Sequence, residues 1–263
     1  MLEKLKRTSI LASMKTQILY LGDTALKEAA CYLSGVMTYF GISFDYVPSD
    51  RKVESEWMER DYRAVIISDY PAANFSSEQF QRLSQRVQGG LGLLMLGGWE
   101  SYTGPTGEYT NTVLKDILPV RMQATDDRTN CAQPCLVEKM TEHEILGKLP
   151  FDACTPTIGG FNLFEAKETG RTILGARRFR VRHEGGEFYF EAYEKAAPLL
   201  VAGSFGEGRV GAFASDVAPH WVGGLVDWGD SRVTAQAAGS VGIEVGNWYA
   251  TFFANLVRWV GKI

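Results

Sequence analysis

Residues 91–109 contain a glycine pair followed by aromatic and polar side chains, directly after an apolar run that is typical of a buried strand. Glycines let the backbone approach a ligand closely, and N–H groups there could bind an anion or stabilise an oxyanion. Pockets form where such loops follow strand ends. The alternative is a tight turn whose aromatic side chains only pack. The pattern predicts that six residues of this segment bind a ligand: Gly97, Gly98, Trp99, Ser101, Tyr102 and Tyr109.

A second segment, residues 215–230, also follows an apolar run and contains one of the three histidines of the chain. Asp216 and Asp227 are close in sequence to His220, and a carboxylate can orient a histidine and stabilise its charged form. We therefore predict that His220 is a general base oriented by Asp216 or Asp227, and that Trp221 lines the ligand site. The alternative is a histidine that packs in a loop beside solvated carboxylates.

The elements that must position these segments alternate between strand and helix over the first hundred residues. Apolar runs predict strands over residues 17–23, 42–50, 62–71 and 91–98. This alternation is typical of a doubly wound parallel sheet, whose ligands lie beyond the carboxyl ends of the strands. Asp69 follows the third strand, and we therefore add it to the ligand-binding residues. The predicted strand ends are Gly22-Asp23, Asp69-Tyr70-Pro71 and Gly98-Trp99-Glu100.

Two helices are predicted between these strands. Apolar residues at helical spacing follow Asp23 and Thr24, either of which could cap the first helix, and Gly41 ends it. The second helix begins with the sequence signals of a capping box and a hydrophobic staple, which involve Ser76, Gln79, Phe75 and Phe80.

The second half of the chain has a different pattern. Residues 178–194 alternate around a glycine pair and predict a hairpin, and residues 197–216 predict another strand pair. We therefore expect an antiparallel extension beside the parallel sheet. Residues 230–246 are small and weakly patterned and predict a loop. Residues 247–260 predict a strongly apolar helix that packs on the sheet or on a partner.

Composition excludes several classes of function. The net charge of −4 gives no basic footprint for nucleic acid, and no apolar run approaches the roughly 20 residues of a membrane helix. We expect one domain over residues 17–263, preceded by an N-terminal arm at residues 1–16. Four cysteines suit a reducing compartment, which favours the cytoplasm.

Metal and cofactor motifs are not evident in the sequence. Cys131 and Cys135 have loose metal-ligand spacing, but no second pair of cysteines or histidines lies nearby. Glycine patterns for phosphate or dinucleotide binding are missing as well. We therefore expect no metal and no cofactor.

Four segments together resemble a known family. They are "YRAVIISDYP", "FQRLSQRVQGGLGLLMLGGWESYTGPTGEYTNTVLKDILPV", "GEGRVGAFASDVAPHW" and "FFANLVRWV". They are similar to a family of glutamine amidotransferase-like proteins, an uncharacterised and mostly bacterial group that resembles the class I amidotransferases. The resemblance runs from about Gln17 to Val260 and implies a flavodoxin-like α/β sandwich with a mostly parallel sheet.

The chain departs from true class I amidotransferases at their catalytic residues. Those enzymes carry a cysteine in a G-x-C-x-G turn and a His-Pro-Glu after a later strand. Here the turn is Leu96-Gly97-Gly98, and the later strand ends in Phe213-Ala214-Ser215-Asp216. Amide hydrolysis through a thioester needs an activated thiolate beside a base. The resemblance therefore implies the fold without the glutaminase chemistry.

Three functions are consistent with this sequence. The first is a small-molecule-binding protein or a hydrolase that is not an amidotransferase, with its site over the strand ends. The second is a structural or regulatory subunit that forms homo-oligomers through the apolar helix and the 230–246 segment. The third is a glutaminase with a displaced nucleophile. The expected partners are a small molecule and a second copy of the chain, not nucleic acid or a membrane.

Overall fold

The computed structural model describes residues 16–263, so the predicted N-terminal arm lies, except for Thr16, outside the described residues. A nine-stranded mixed sheet forms the centre, in the order β2-β1-β3-β4-β13-β12-β9-β6-β7. The strands in chain order are β1 (Ile18–Gly22), β2 (Phe44–Val47), β3 (Ala64–Ser68), β4 (Gly92–Leu96), β5 (Val120–Met122), β6 (Arg128–Lys139), β7 (Thr157–Asn162), β8 (Phe164–Ala166), β9 (Arg171–Arg177), β10 (Phe179–Glu184), β11 (Glu187–Ala192), β12 (Ala197–Phe205), β13 (Gly208–Phe213), β14 (Arg232–Ala235) and β15 (Ile243–Gly246).

One end of the sheet is parallel, as the alternating pattern predicts. β1 pairs with β2 and β3, β3 pairs with β4, and β4 pairs with β13, all in parallel register. Every residue of β1, β3 and β4 is buried, since both faces of this part of the sheet are covered. The carboxyl ends of these strands therefore lie along one edge of the sheet.

Six α-helices lie within the described residues. They are α1 (Cys31–Tyr39), α2 (Ser55–Glu59), α3 (Ser77–Gln88), α4 (Leu114–Ile117), α5 (Pro219–Val226) and α6 (Asn247–Gly261).

The predicted start of the first helix at Asp23 or Thr24 is wrong. α1 begins at Cys31, and the backbone of Asp23 and Thr24 is left-handed, with φ of 52° and 55°. The Tyr20 hydroxyl donates a hydrogen bond to the Asp23 carboxylate, which is therefore used inside the protein rather than as a helix cap. The predicted end at Gly41 is confirmed, since α1 ends at Tyr39, Phe40 is its C-cap, and Gly41 follows with φ of 70°.

The predicted capping signals of α3 are confirmed. The Gln79 backbone N–H donates to Ser76 Oγ at 3.2 Å, and the Ser76 N–H donates to Gln79 Oε1 at 2.8 Å. The rings of Phe75 and Phe80 lie 4.7 Å apart as a hydrophobic staple. These contacts fix the direction in which α3 leaves the preceding loop, which follows β3.

The antiparallel extension is present. β12 and β13 form a hairpin within the large sheet, and β9, β6 and β7 continue it. The predicted hairpin at residues 178–194 is also present as β10 and β11, which form a separate two-stranded sheet.

The prediction of a loop over residues 230–246 is wrong. β14 and β15 form an antiparallel pair in which Val233 lies opposite Val245, and both side chains are buried. Each strand has only four residues, which is too short for a clear alternation of apolar and polar positions.

The C-terminal helix packs on the sheet of its own chain. Phe252 and Phe253 of α6 are fully buried, and both rings contact Phe213 of β13 at 5.8 and 5.6 Å between centroids. The apolar face of α6 is thus used within the protomer. Among residues 16–263, no helix combines the length and the apolar character needed to cross a membrane.

Candidate functional site

Three aspartates meet at the edge where the parallel strands end. Asp23 directly follows β1, Asp69 directly follows β3, and Asp216 follows β13 after two residues. Each offers one carboxylate oxygen, and these three oxygens lie within 4.8 Å of one another. We call these three side chains the carboxylate cluster. Their meeting follows from topology, because parallel strands deliver their carboxyl ends to the same edge.

Asp23 is the most deeply buried member, with 1% of its surface exposed. The Tyr20 hydroxyl donates to its Oδ2 atom, whereas Oδ1 is buried and has no hydrogen-bond partner. The Ser68 hydroxyl is also fully buried and without a partner of hydrogen-bonding geometry, although it lies close enough to favour the charged form of Asp23. Buried polar atoms without partners are uncommon in folded proteins.

Asp216 lies three residues before the first residue of α5, Pro219. Its Oδ1 atom accepts hydrogen bonds from the backbone N–H groups of Val217 at 2.6 Å and Ala218 at 3.0 Å. Burial raises the pKa of Asp216 to about 6, although these two N–H groups and the nearby His220 lower it. These two hydrogen bonds therefore compensate part of the cost of burying this carboxylate.

Asp69 connects the cluster to the loop after β4. Its Oδ1 atom accepts a hydrogen bond from the Glu100 N–H at 2.7 Å, and its own N–H donates to Ser101 Oγ at 3.1 Å. Gly98 passes directly beside it, and a Cβ atom at Gly98 would lie 2.1 Å from Asp69 Oδ1. The carboxylate of Asp69 thus fills the space into which a side chain at Gly98 would project.

The charges of the cluster oppose one another. Burial raises the pKa of Asp23 well above its usual range, and the neighbouring carboxylates of Asp216 and Asp69 raise it further. Burial and Asp216 likewise raise the pKa of Asp69. Three ionised carboxylates at this separation are unfavourable unless protons or a cation accompany them.

Trp99 and His220 form the outer part of the same region. Trp99 is 49% exposed, and its ring meets the exposed His220 ring edge to face at 5.7 Å between centroids. The Arg128 guanidinium lies over the Trp99 ring at 4.5 Å, held by an ion pair with Asp126 at 2.7 Å. We call Trp99, His220 and Arg128 the rim. The two segments singled out from the sequence therefore come together.

Four of the predicted ligand-binding side chains are buried and bonded within the fold. The Tyr102 hydroxyl donates to the carbonyl oxygens of Met95 and Phe213, both at 3.1 Å. The Tyr109 hydroxyl donates to the Tyr70 carbonyl. Trp221 donates its Nε1 proton to Asn130 Oδ1 at 2.9 Å, and Ser101 accepts from Asp69. Their role in this structure is internal, because they stabilise the loops that carry the cluster and the rim. The four residues are Ser101, Tyr102, Tyr109 and Trp221.

The expected oxyanion role of the glycine pair is wrong. The Gly97 N–H donates to the Ser215 carbonyl at 3.0 Å, and the Gly98 N–H donates to Asn162 Oδ1 at 2.9 Å. Both donors are therefore occupied by the protein itself. The glycines serve close packing instead, since a Cβ at Gly97 would lie 2.1 Å from the Ala214 carbonyl oxygen.

Asp227 is engaged elsewhere. Its exposed carboxylate forms an ion pair with Arg232 at 2.8 Å, whereas Asp216 is the carboxylate whose pKa His220 lowers. Of the two aspartates predicted to orient His220, the structure brings Asp216 close to it.

Asp23 is the site residue that the sequence analysis did not select. The signal was present, since Gly22-Asp23 was recognised as a strand end equivalent to the one carrying Asp69. Asp23 was interpreted as a helix cap and was therefore not predicted to belong to the site. Within residues 16–263, the carboxylate cluster is the one group of three or more His, Cys, Asp or Glu side chains close enough to share a metal ion.

Comparisons with known proteins agree with this fold. The GATase1_like family, described as "Putative glutamine amidotransferase", matches residues 22–234. No curated protein matches the chain at a significant level.

Solved structures match over nearly the whole length. Cytoplasmic protein STM1381 from Salmonella typhimurium LT2 is 26% identical, with a TM-score of 0.68 over 93% of this chain and 99% of that one. Cytoplasmic protein STM3548 from Salmonella typhimurium is 21% identical, with a TM-score of 0.67 over 93% and 98%. A protein from Bacteroides uniformis described as ThuA-like is 13% identical, with a TM-score of 0.51 over 94% and 91%.

Proposed function

Because the chain belongs to the GATase1_like family, we propose that it is a small-molecule-binding protein that has kept the family fold without glutaminase chemistry. The ligand would bind at the carboxyl ends of the parallel strands, over the carboxylate cluster and against the rim. The order of the five parallel strands supports the finer assignment of a flavodoxin-like sheet, since β2-β1-β3-β4-β13 corresponds to the doubly wound order 2-1-3-4-5. The descriptions of STM1381 and STM3548 support a cytoplasmic location.

One observation supports the proposal that the chain lacks glutaminase chemistry. At the turn after β4, a side chain on Gly97 would meet the Ala214 carbonyl, and one on Gly98 would meet the Asp69 carboxylate. A nucleophile could project from neither position without rearrangement. A negatively charged carboxylate in that space would also oppose the formation of a thiolate or an oxyanion beside it.

The chemistry of the site favours a ligand that is cationic or rich in hydroxyl groups. The carboxylates can accept hydrogen bonds or balance positive charge, and Trp99 offers an apolar face beside them. A protonated amine, a sugar or a polyol has these properties. In a hydrolase that uses this site, His220 would be the general base, and Asp216, whose pKa His220 lowers, would be the carboxylate that stabilises its charged form.

The test is a thermal-shift screen of amines, sugars, polyols, amides and nucleotides on the wild type, His220→Ala and Trp99→Ala. A ligand at a hundred times its dissociation constant should stabilise the wild type by about 2.7 kcal/mol. We expect a stabilising compound whose effect is lost in both variants. A compound that stabilises all three proteins equally would contradict this location of the site.

An ammonia-release assay with glutamine tests the absence of glutaminase activity. We expect no release above the rate of the uncatalysed reaction. Release would instead support the displaced-nucleophile function, and a variant without Cys31, Cys131, Cys135 and Cys154 would then decide whether a thiol is responsible.

A second candidate is a homo-oligomeric subunit, and the β10–β11 hairpin favours it. Phe188 and Phe190 are 64% and 70% exposed on β11. The strand β10 carries Arg180 and Arg182, and the paired strand β11 carries Glu187 and Glu191. These charged side chains lie on one face of the hairpin and the rings of Phe188 and Phe190 lie on the other, since Arg180 is opposite Glu191 and Val181 is opposite Phe190. A two-fold contact through the aromatic face would cover the rings and leave the charged face in solvent.

Sedimentation of the wild type and of the double variant Phe188→Ser/Phe190→Ser tests this candidate. We expect a dimer or larger assembly that the double variant weakens, because it removes the exposed rings without touching the core. A wild-type monomer at micromolar concentration would contradict it.

A further inference from the structure

The carboxylate cluster has the chemistry of a cation site. Its three oxygens lie within 4.8 Å of one another, and each comes from a different strand end. Oxygen ligands lie roughly 2.0–2.6 Å from Mg²⁺ or Ca²⁺, so oxygens that share one ion are at most about 5 Å apart. The cluster therefore needs no rearrangement of the backbone to bring its oxygens around one ion.

A second observation points to a missing ligand. Asp23 Oδ1 and Ser68 Oγ are both buried, and neither has a hydrogen-bond partner. Tyr20 satisfies the other oxygen of Asp23, whereas Oδ1 has the neighbouring carboxylates and the Ser68 hydroxyl near it and no partner of good hydrogen-bond geometry. An unsatisfied buried polar atom is destabilising, and a cation would satisfy both atoms at once.

Hydrogen bonds hold at least one oxygen of each carboxylate in place. Tyr20 holds one oxygen of Asp23, the backbone at Val217 and Ala218 holds one of Asp216, and Glu100 holds one of Asp69. These contacts orient each carboxylate, as the outer contacts of metal ligands do. No lysine or arginine is among the groups whose charges act most strongly on Asp23 or Asp69.

We propose that Asp23, Asp69 and Asp216 together bind one divalent cation of the oxygen-preferring class, Mg²⁺, Mn²⁺ or Ca²⁺, with Ser68 as an additional neutral ligand. Three carboxylates and no thiolate favour these ions over zinc or copper. Asp69 is the least buried of the three, so the open coordination positions would face the rim. The inference deepens the proposed function and rests on it, because the ion would form the floor of the same ligand site.

The experiment is isothermal titration of chelator-treated protein with MgCl₂, MnCl₂ and CaCl₂ separately. Loss of the free Mn²⁺ electron paramagnetic resonance signal gives a second readout that does not depend on heat. We expect one ion per chain. Asp23→Asn, Asp69→Asn and Asp216→Asn should each weaken binding by at least about tenfold.

A matched control is Asp127→Asn. Asp127 is also buried, at 3% exposed, but it is bonded to the Thr103 N–H and the Asn162 amide rather than to the cluster. This variant should bind the ion as the wild type does. Circular dichroism spectra should be the same for all variants, since asparagine can accept the same backbone and Tyr20 hydrogen bonds.

Two results would overturn the inference: no binding of any of the three ions, or binding that the three cluster variants leave unchanged. Running the metabolite screen both with chelator and with each ion separates this failure from failure of the proposed function. A metabolite that binds in chelator when no ion does leaves the proposed function standing and removes the cation. If neither an ion nor a metabolite binds, both the cation site and the proposed function are wrong.

Discussion

The carboxylate of Asp69 occupies the space beside Gly98 in which a side chain would lie: a Cβ atom there would approach Asp69 Oδ1 to 2.1 Å and Oδ2 to 2.3 Å. Gly98 also has φ of 153°, which side chains rarely allow. Asp69 is itself held by the Glu100 N–H, so it cannot move aside without losing that bond.

Gly98→Ala should therefore lower the free energy of unfolding by about 2–4 kcal/mol, through overpacking and backbone strain. Urea denaturation measures it. In an Asp69→Gly background the same substitution should be less damaging, because the clashing carboxylate is gone.

Gly223→Ala is the matched control, since a Cβ atom at Gly223 meets nothing within 4 Å and its φ is not positive. Because Gly223 lies within α5, this substitution should not destabilise the protein and should raise the free energy of unfolding by up to about 1 kcal/mol. Equal effects of Gly98→Ala with and without Asp69 would show that strain alone, not this contact, forbids the side chain.

A second prediction concerns the mutual repulsion of the carboxylate cluster. In chelator at neutral pH, Asp23→Asn should raise the free energy of unfolding by about 1–3 kcal/mol, because it removes the cost of keeping this carboxylate ionised, or of protonating it, in a buried position beside other carboxylates. The Asn side chain can still accept from Tyr20 and can donate to a neighbouring carboxylate. Chemical denaturation of both proteins in the same buffer measures the difference.

Asp50→Asn is the control, because Asp50 is exposed and its replacement removes a negative charge without changing the repulsion within the cluster. This variant should have nearly the same free energy of unfolding as the wild type. A destabilised Asp23→Asn protein would mean that the hydrogen bonds of this carboxylate outweigh its repulsion.

Features of the fold that depend on residues close together in the sequence were predictable, whereas features that depend on distant residues were not. The capping box at Ser76 and Gln79 was predictable because its partners are three residues apart. The parallel strands were predictable because burial on both faces makes them continuously apolar. Local patterns also predicted where these strands end, and hence the edge at which a site would form.

The composition of the site was only partly predictable, because its contacts join distant residues. Asp23 and Asp216 are 193 positions apart in the chain yet share a cluster. An aspartate after a strand has the same local pattern whether it caps a helix or turns inward. Likewise, Tyr102 and Tyr109 lie in a loop whose composition is typical of a pocket. Only the folded chain places carbonyl oxygens where they accept hydrogen bonds from these two hydroxyls.

The third prediction tests this internal role of Tyr102. Its hydroxyl bridges the carbonyl oxygens of Met95 on β4 and Phe213 on β13, at the ends of two paired strands. Tyr102→Phe should lower the free energy of unfolding by about 1–2 kcal/mol, since two buried acceptors lose a donor.

Tyr39→Phe provides the comparison, because Tyr39 is 54% exposed and should tolerate loss of its hydroxyl. Compounds from the metabolite screen should bind Tyr102→Phe as they bind the wild type. Loss of binding with unchanged stability would instead assign this hydroxyl to the ligand.

The last prediction concerns a pair of thiols on β6, near the other end of the sheet. Cys135 Sγ lies 3.2 Å from Cys131 Sγ and donates a hydrogen bond to it. This donor, with help from Arg178, lowers the pKa of Cys131 to about 7 although partial burial opposes the shift. The thiolate is the reactive form, so alkylation of Cys131 should rise with pH and reach half its maximal rate near pH 7.

Removing the donor should reverse this effect. In Cys135→Ala the pH profile for Cys131 should move toward the ordinary thiol value of about 8.5, and the rate at neutral pH should fall several-fold. Iodoacetamide labelling followed by peptide mass spectrometry measures the rate at each pH. The exposed Cys154 is an internal reference whose profile should be the same in both proteins. An unchanged Cys131 profile in Cys135→Ala would show that Arg178, rather than the neighbouring thiol, stabilises the thiolate.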